Sequence, residues 1–416
     1  MRIAIIGGGI GGLTAALALR QFGFEPEVFE QAPELLEVGA AIIMWPNAMR
    51  ILDRLELGDA VRQHGGVVEQ THWLKHNGRL LNQVRLPKTD APAVALHRAE
   101  LQKILLHALP QDSIHLGHVF EGWEQPPDRI ILHLRDRAPL ECDVLIGADG
   151  LHSRARMQLL DDGPPIDRGY LTWRGVMPYT PKSLTPATAI EIHGRGQRFG
   201  IGPVGLGRIG WWATANKTNG HVRRQKTPGA HSNSDAHQLT PNTDGATIRA
   251  ELLRLFDGWC EPVLELIQET PLTSLVRNVV FDRLPVRRWG EGSMTLLGDA
   301  IHPTTPNLGQ GGCLAIEDAA VLARCLKKYA ADADGADRRE AVSASQISFA
   351  LRRFEGLRFK RTAAITRYSR IYGAVGQWER GWAAQMRSLG LSLVPDRVTA
   401  RLLRGIFNYD AYAMRI

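Results

Sequence analysis

The stretch Ile3-Ala-Ile-Ile-Gly7-Gly-Gly9-Ile-Gly-Gly12-Leu-Thr-Ala-Ala-Leu-Ala-Leu-Arg20, closing about ten residues later on Val28-Phe29-Glu30, decides the fold. A short apolar run of this kind suits a parallel strand buried on both faces. The glycines make a turn, the Ala/Leu-rich run a helix, and Pro26 to Glu30 a second strand that ends on an acid. Gly7, Gly9 and Gly12 fit the spacing G-x-G-x-x-G. In that pattern the first glycine permits a tight turn, the second lets the backbone approach a pyrophosphate, and the third lets helix and strand pack closely. The helix N-terminus then presents free N–H groups to the phosphates. Glu30 is placed to accept hydrogen bonds from a ribose. Strand, turn, helix, strand and acid in one unit predict a dinucleotide site.

The bulk properties are those expected of an ordinary soluble globular protein. A chain of 416 residues, 44% hydrophobic and 22% charged, exceeds one simple core and predicts two or three domains. The net charge of +7 comes without a Lys/Arg run, which excludes a nucleic-acid tail. Cys142, Cys260, Cys313 and Cys325 have no metal-ligand spacing, so neither a metal site nor a disulfide framework is expected, and a cytoplasmic location is. No run of about 18 apolar residues predicts a membrane span.

Further along, Val38-Gly39-Ala40-Ala41-Ile42 precedes the helix opened by Trp45-Pro46-Asn47; these small residues serve either a flat ligand lying on the backbone or a tight turn. Asn77-Gly78 signals a hairpin within residues 67–94. Arg98 stands on the first turn of a helix, where a cation opposes the helix dipole. A phosphate or ribose partner would offset that cost; an ordinary surface arginine is the alternative. A buried strand, Cys142 to Gly147, ends at Asp149-Gly150, with Ser153, Arg154 and Arg156 just beyond. Residues 170–216 are β-like and aromatic. Residues 216–245 read as a polar mobile loop. Helical periodicity returns over 248–267, and most of 313–416 is helical.

The third landmark is Gly298-Asp299-Ala-Ile-His302-Pro-Thr-Thr-Pro306-Asn-Leu-Gly309-Gln-Gly311-Gly312. A strand ends in Gly-Asp, two prolines stiffen the loop, and a glycine cluster opens a helix whose bare N–H groups can receive an anion. Asp299 can accept a ribityl hydroxyl. A flavin needs both ends: its pyrophosphate on one glycine-rich turn and its ring oxygens on another.

With these three motifs the chain resembles, over nearly its whole length, the single-component FAD-dependent aromatic hydroxylases, the group of the para-hydroxybenzoate, salicylate and urate hydroxylases. The resemblance implies an α/β fold: a Rossmann-like FAD-binding domain (1–72, 98–169 and 268–330) with an inserted β-sheet substrate domain (73–97 and 170–267) and a helical C-terminus (331–416). It implies bound FAD contacted by Gly7, Gly9, Gly12, Glu30, Gln31, Ala41, Arg98, Val119, Asp149, Gly150, Asp299, Pro306, Gly309, Gly311 and Gly312. NAD(P)H would be the electron donor, and Asp149, Gly150 and Arg156 would serve both cofactors. O2 would form a flavin C4a-hydroperoxide that oxygenates an electron-rich ring, in a monomer or homodimer. Trp173, Arg174, Arg198 and Trp212 would bind substrate, with Arg198, Pro306 and His193 as the catalytic set and His193 as acceptor of a phenolic proton. Arg198 matches an arginine that binds urate in the urate branch. Arg174 stands where that branch has asparagine and Gly210 where it has a tyrosine, and both departures point away from urate. Each arginine has the alternative of an ordinary salt bridge, and the tryptophans that of core packing. Two other functions fit the same motifs: epoxidation or oxidative tailoring of a larger natural product, and non-catalytic nucleotide sensing.

Overall fold

A computed structural model describes residues 1–34, 40–127, 129–217, 244–330 and 342–416. Val38 and Gly39, and nearly all of the polar loop expected at 216–245, lie outside the described residues.

The strand Ile3–Ile6 is the centre of a six-stranded sheet, with every one of its residues buried. It pairs in parallel with Pro26–Glu30 on one side and Val144–Gly147 on the other. Ile114–Leu116 extends the sheet beyond Glu30, and Met294–Leu296 extends it beyond Val144–Gly147. Burial on both faces is why Ile3–Ile6 and Val144–Gly147 read as unbroken apolar runs. The helix Ile10–Arg20 covers one face and packs on the long buried helix Gly311–Ala330. Thus the first and third glycine motifs, some 300 residues apart in sequence, open two helices that touch.

A second sheet has seven strands, in the order Val276–Asp282, Ile166–Met177, Ile209–Asn216, Gln197–Pro203, Thr188–His193, Gln70–Lys75 and Leu80–Arg85. Its outer face carries a separate apolar core with Trp173, Trp211, Phe199 and Phe256. The helices Gly245–Leu255 and Val263–Glu269 cover that face, where one helical segment was expected. The first helix ends at Leu255, Gly258 turns the chain at φ 72°, and Pro262 caps the start of the second. The predicted Asn77-Gly78 hairpin joins the last two strands of this sheet, with Gly78 at φ 82°. Ala93–His97 instead pairs with Ala41–Met44 and Gly66–Val68 in a small sheet. The remaining helices are Ala344–Gly376, Gly381–Leu393 and Asp396–Phe407. No described helix is long and apolar enough to cross a membrane.

Candidate active site

The first glycine turn has the division of labour its spacing predicts. Gly7 adopts φ 109° and donates its N–H to Phe29 O at 2.8 Å. A Cβ on Gly12 would collide with the Gly7 carbonyl oxygen, so only glycine lets the helix start this close to the strand. At Gly9 an added Cβ would meet nothing within 4 Å: the backbone there borders open space. That space is a cavity of about 2050 Å³. It runs from Gly9 and Gly11 past Ala41, Arg98, Gly150 and Asp299 to Pro306, Gly309, Gly311 and Gly312. It ends against the inner face of the seven-stranded sheet, at Arg174 and Trp212. Pockets for single small ligands enclose about 300–1,000 Å³, so this one has room for a dinucleotide and a further molecule.

Glu30 holds its carboxylate in place through backbone donors: Gly8 N–H at 2.7 Å and Ala32 N–H at 2.9 Å. His118 donates its N–H to Glu30 O at 2.8 Å, which brings Val119 to the same end of the sheet. Gln31 is exposed beside them. Arg98 opens the helix Arg98–His107, and Gln102, one turn on, donates to Gly8 O at 2.8 Å. This amide, 94 positions from its partner, fastens the arginine helix to the glycine turn.

Asp149 faces inward. Its carboxylate accepts from Ser153 Oγ at 2.6 Å and Ala155 N at 3.1 Å, and burial pushes its pKa up. It therefore shapes the turn that brings Gly150 to the cavity and does not itself line it. Arg156 is fully buried, paired with Asp162, and donates to Ile301 O at 2.6 Å. It ties this turn to the Gly298–His302 loop. Asp299 behaves differently: it is surrounded by protein, which raises its pKa, yet its side chain opens into the cavity.

A buried charge network sets the glycine loop. Asp318 accepts from Gly298 N–H at 3.1 Å and Arg358 Nε at 2.6 Å, and lies 2.5 Å from His302 Nε2. Glu317 pairs with Arg358 and Arg361, both at 2.7 Å, and accepts from Asn47 Nδ2 at 2.6 Å. Burial alone would raise the Asp318 pKa, but the charges of His302 and Arg358 outweigh it and hold it low. His302 is accordingly a structural member of the loop.

The substrate-side expectations divide. Arg174 and Trp212 are opposite one another on adjacent strands and share the inner face. Arg174 Nη2 donates to Asn278 Oδ1 at 3.2 Å, while its Nε is buried without a partner. Burial and the nearby charge of Arg98 push its pKa down to about 10. Gly210 is where the chains must touch: a Cβ there would lie 2.5 Å from that of Ala41, which leaves no room for tyrosine.

Three expected residues lie elsewhere. Trp173 points to the outer face and packs in its core, with Nε1 donating to Glu251 at 3.3 Å, because neighbouring residues on a strand face opposite ways. His193 is on the inner face but buried away from the cavity. Both its ring nitrogens lack hydrogen-bond partners, and burial drives its pKa down to about 4. Arg198 is fully buried behind the cavity wall. It donates to Glu191 at 3.1 Å, Gln377 at 3.2 Å and Asn307 Oδ1.

The residues that Arg198 holds, which were missed in the sequence, do line the cavity: Glu191, Asn307 and, beside them, Tyr372. Tyr372 donates its hydroxyl to Glu191 Oε2 at 2.7 Å, and burial keeps its pKa far above the usual phenol value. Burial opposes ionisation of Glu191, but the charges of His193 and Arg198 and the Tyr372 hydrogen bond prevail, and its pKa is lowered. With His193 neutral above about pH 4, Arg198 is the cation that keeps this carboxylate ionised near neutrality.

The open backbone at Gly9, the inward carboxylate of Asp299 and the glycine loop at 309–312 fit the pyrophosphate, ribityl chain and ring of FAD in turn. A dinucleotide cavity joined to a walled chamber on a second sheet defines a flavoprotein oxygenase. The comparisons with known proteins agree: residues 1–340 match the family described as FAD binding domain, and the chain belongs to it as an FAD-dependent monooxygenase. It is 36% identical over 411 residues to "Aurachin C monooxygenase/isomerase" of Stigmatella aurantiaca, covering 98% of each chain. It is 30% identical to the FAD-dependent urate hydroxylase of Klebsiella pneumoniae subsp. pneumoniae, covering 93% of this chain and 94% of that one. The crystal structure of Klebsiella pneumoniae HpxO with FAD and uric acid superimposes with a TM-score of 0.82 at 28% identity, covering 98% of this chain and 96% of that chain.

Proposed function

We propose that this monooxygenase takes electrons from NADH or NADPH and hydroxylates an aromatic or heteroaromatic small molecule bound between Trp212, Arg174 and the Pro306–Gly312 loop. The observation that carries the reading is electrostatic. Arg98 and Arg174 face one cavity, and Arg174 has a buried, unpartnered Nε and a pKa lowered to about 10. Such a pair is relieved by an anionic or carbonyl-bearing ring, through charge-assisted hydrogen bonds. FAD, when bound, supplies the reductive activation of O2. The chain's own residues do the rest. Gly311 and Gly312 offer helix N-terminal N–H groups, Asp299 an acceptor for a hydroxyl, and the sheet excludes water. Glu191, kept ionised by Arg198, and Tyr372 take the place expected for His193 as the pair that holds a proton beside the substrate.

Oxidative tailoring of a larger molecule is a second reading, favoured by the cavity volume and by the relative that carries the name aurachin C monooxygenase/isomerase. The test is a panel of hydroxylated rings and heteroaromatics offered with NADH or NADPH, following coenzyme oxidation and the mass of the product. Stimulated oxidation with one added oxygen is expected. If no panel member stimulates oxidation in flavin-loaded protein, the ring-hydroxylase reading fails.

A further inference from the structure

Part of the cavity wall is hydrocarbon with no counterpart in a site for one polar ring. Ile371 and Val375 lie one turn apart on the helix Ala344–Gly376, and Val398 and Leu402 one turn apart on Asp396–Phe407. Trp73 and Val84, from the last two strands of the seven-stranded sheet, line the same cavity. The C-terminal helix packs on the strand Leu80–Arg85, so this wall stands at one edge of the sheet, whereas Arg174 and Trp212 stand on the second and third strands from the other edge. Ile371 is 60% exposed, Val398 48% and Leu402 65%. Single exposed apolar residues are ordinary, but these three line one continuous cavity that also holds the polar groups. Covering these side chains removes their remaining apolar surface from water, which is the gain available to an apolar occupant.

We propose that this wall receives a hydrocarbon chain carried by the substrate. The substrate then has two parts: a ring placed by Arg174 and the Pro306 loop, and an alkyl or alkenyl chain lying along Ile371, Val398 and Leu402. The ring half rests on the hydroxylase reading above; the chain half rests on the continuity of an open apolar wall with that chamber. Continuity also selects a substrate chain over a second protein copy, because the exposed residues line the interior of the catalytic cavity and not only the molecular surface.

The test uses flavin-loaded enzyme and the n-alkyl esters of 4-hydroxybenzoate, from methyl to dodecyl, titrated by perturbation of the bound flavin's absorption. No reductant or turnover is needed. Each added methylene should tighten binding about fourfold, the equivalent of ~0.8 kcal/mol per buried CH2, until the wall is covered. The double variant Val398→Gln, Leu402→Gln should flatten the series while retaining flavin. Affinity independent of chain length, or no binding by any ester, overturns the proposal. So does a series that persists in the double variant, which reports unspecific partitioning, or a dimer that the double variant dissociates in sedimentation, which assigns the wall to a second copy. Oxygen insertion into chainless rings without chain-length dependence would keep the hydroxylase and remove the chain site. Chain-dependent binding without turnover would do the reverse.

Discussion

The two ends of the cavity are built by opposite means. At the Gly7–Gly12 turn the shape comes from backbone: a left-handed glycine, a helix start pressed on a carbonyl, and a carboxylate held by two N–H groups. At the Pro306–Gly312 loop the shape comes from side chains gathered across the sequence: Arg358 on Glu317 and Asp318, Asn47 on Glu317, Arg198 on Asn307 and Glu191. The first end is a local motif and the second a tertiary assembly. Damage should therefore be confined at one end and spread at the other.

The harshest way to break that contrast is Arg358→Met. Among the described residues it leaves Glu317 paired with Arg361 and Asp318 paired with His302, in sites with no side-chain exposure at Glu317, Asp318 or Arg358. Removing one partner of a buried ion pair costs about 3–5 kcal/mol. Denaturant unfolding should show that loss together with weakened flavin retention; a variant of parental stability would mean that the network is not holding the loop.

His193 gives the next effect, on pH dependence. Its pKa falls from 6.5 to about 4 on folding, so between those values the unfolded chain binds more protons than the folded one. Stability is then greatest above pH 6.5 and declines as pH falls towards 4, by up to about 3 kcal/mol from this residue. His193→Leu should remove that slope and leave coenzyme oxidation responsive to substrate. An identical slope in the variant would show that other groups produce it.

Asp299→Ala sharpens the comparison at the loop end while leaving the ion pairs of Glu317 and Asp318 in place. Loss of a charged acceptor costs about 1.5–3 kcal/mol, or roughly a tenfold to hundredfold weaker hold on FAD, with unfolding little changed. Flavin content equal to the parent's after gel filtration would refute that role.

Gly12→Ala, at the local end, should cost about 1–3 kcal/mol through overpacking against the Gly7 carbonyl. Thermal unfolding of the flavin-free protein measures it. A neutral substitution would show that the helix can withdraw from the strand.

The same contrast explains what could be read from the chain. The three glycine motifs, the strand–turn–helix–strand unit at Ile3 to Glu30 and the hairpin at Asn77-Gly78 were legible because each rests on neighbours in sequence. Arg174 and Trp212 line the cavity, and the opposite orientation of Trp173 follows from strand alternation. Glu191 and Tyr372 could not be found that way: their hydrogen bond spans 181 positions and joins a strand to a helix. Arg198 drew notice as a cation, but only the fold shows that its partners Glu191, Gln377 and Asn307 occupy it. Glu317 and Asp318 were visible beside the glycine cluster, while Arg358, some 40 residues later, looked like any basic helical position.

Asn307 deserves a last reading. Its amide nitrogen, with two hydrogens, faces Tyr170 Oη at 3.0 Å, Thr305 Oγ1 at 2.8 Å and Ser369 O at 3.1 Å, and its oxygen accepts from Arg198. One small side chain thus fixes the loop against both a sheet and a helix, with no donor capacity to spare for a ligand. It works as a survey mark for the molecule. Walls such as Val398 or Leu402 can change their chemistry over evolutionary time while the reacting centre keeps its coordinates.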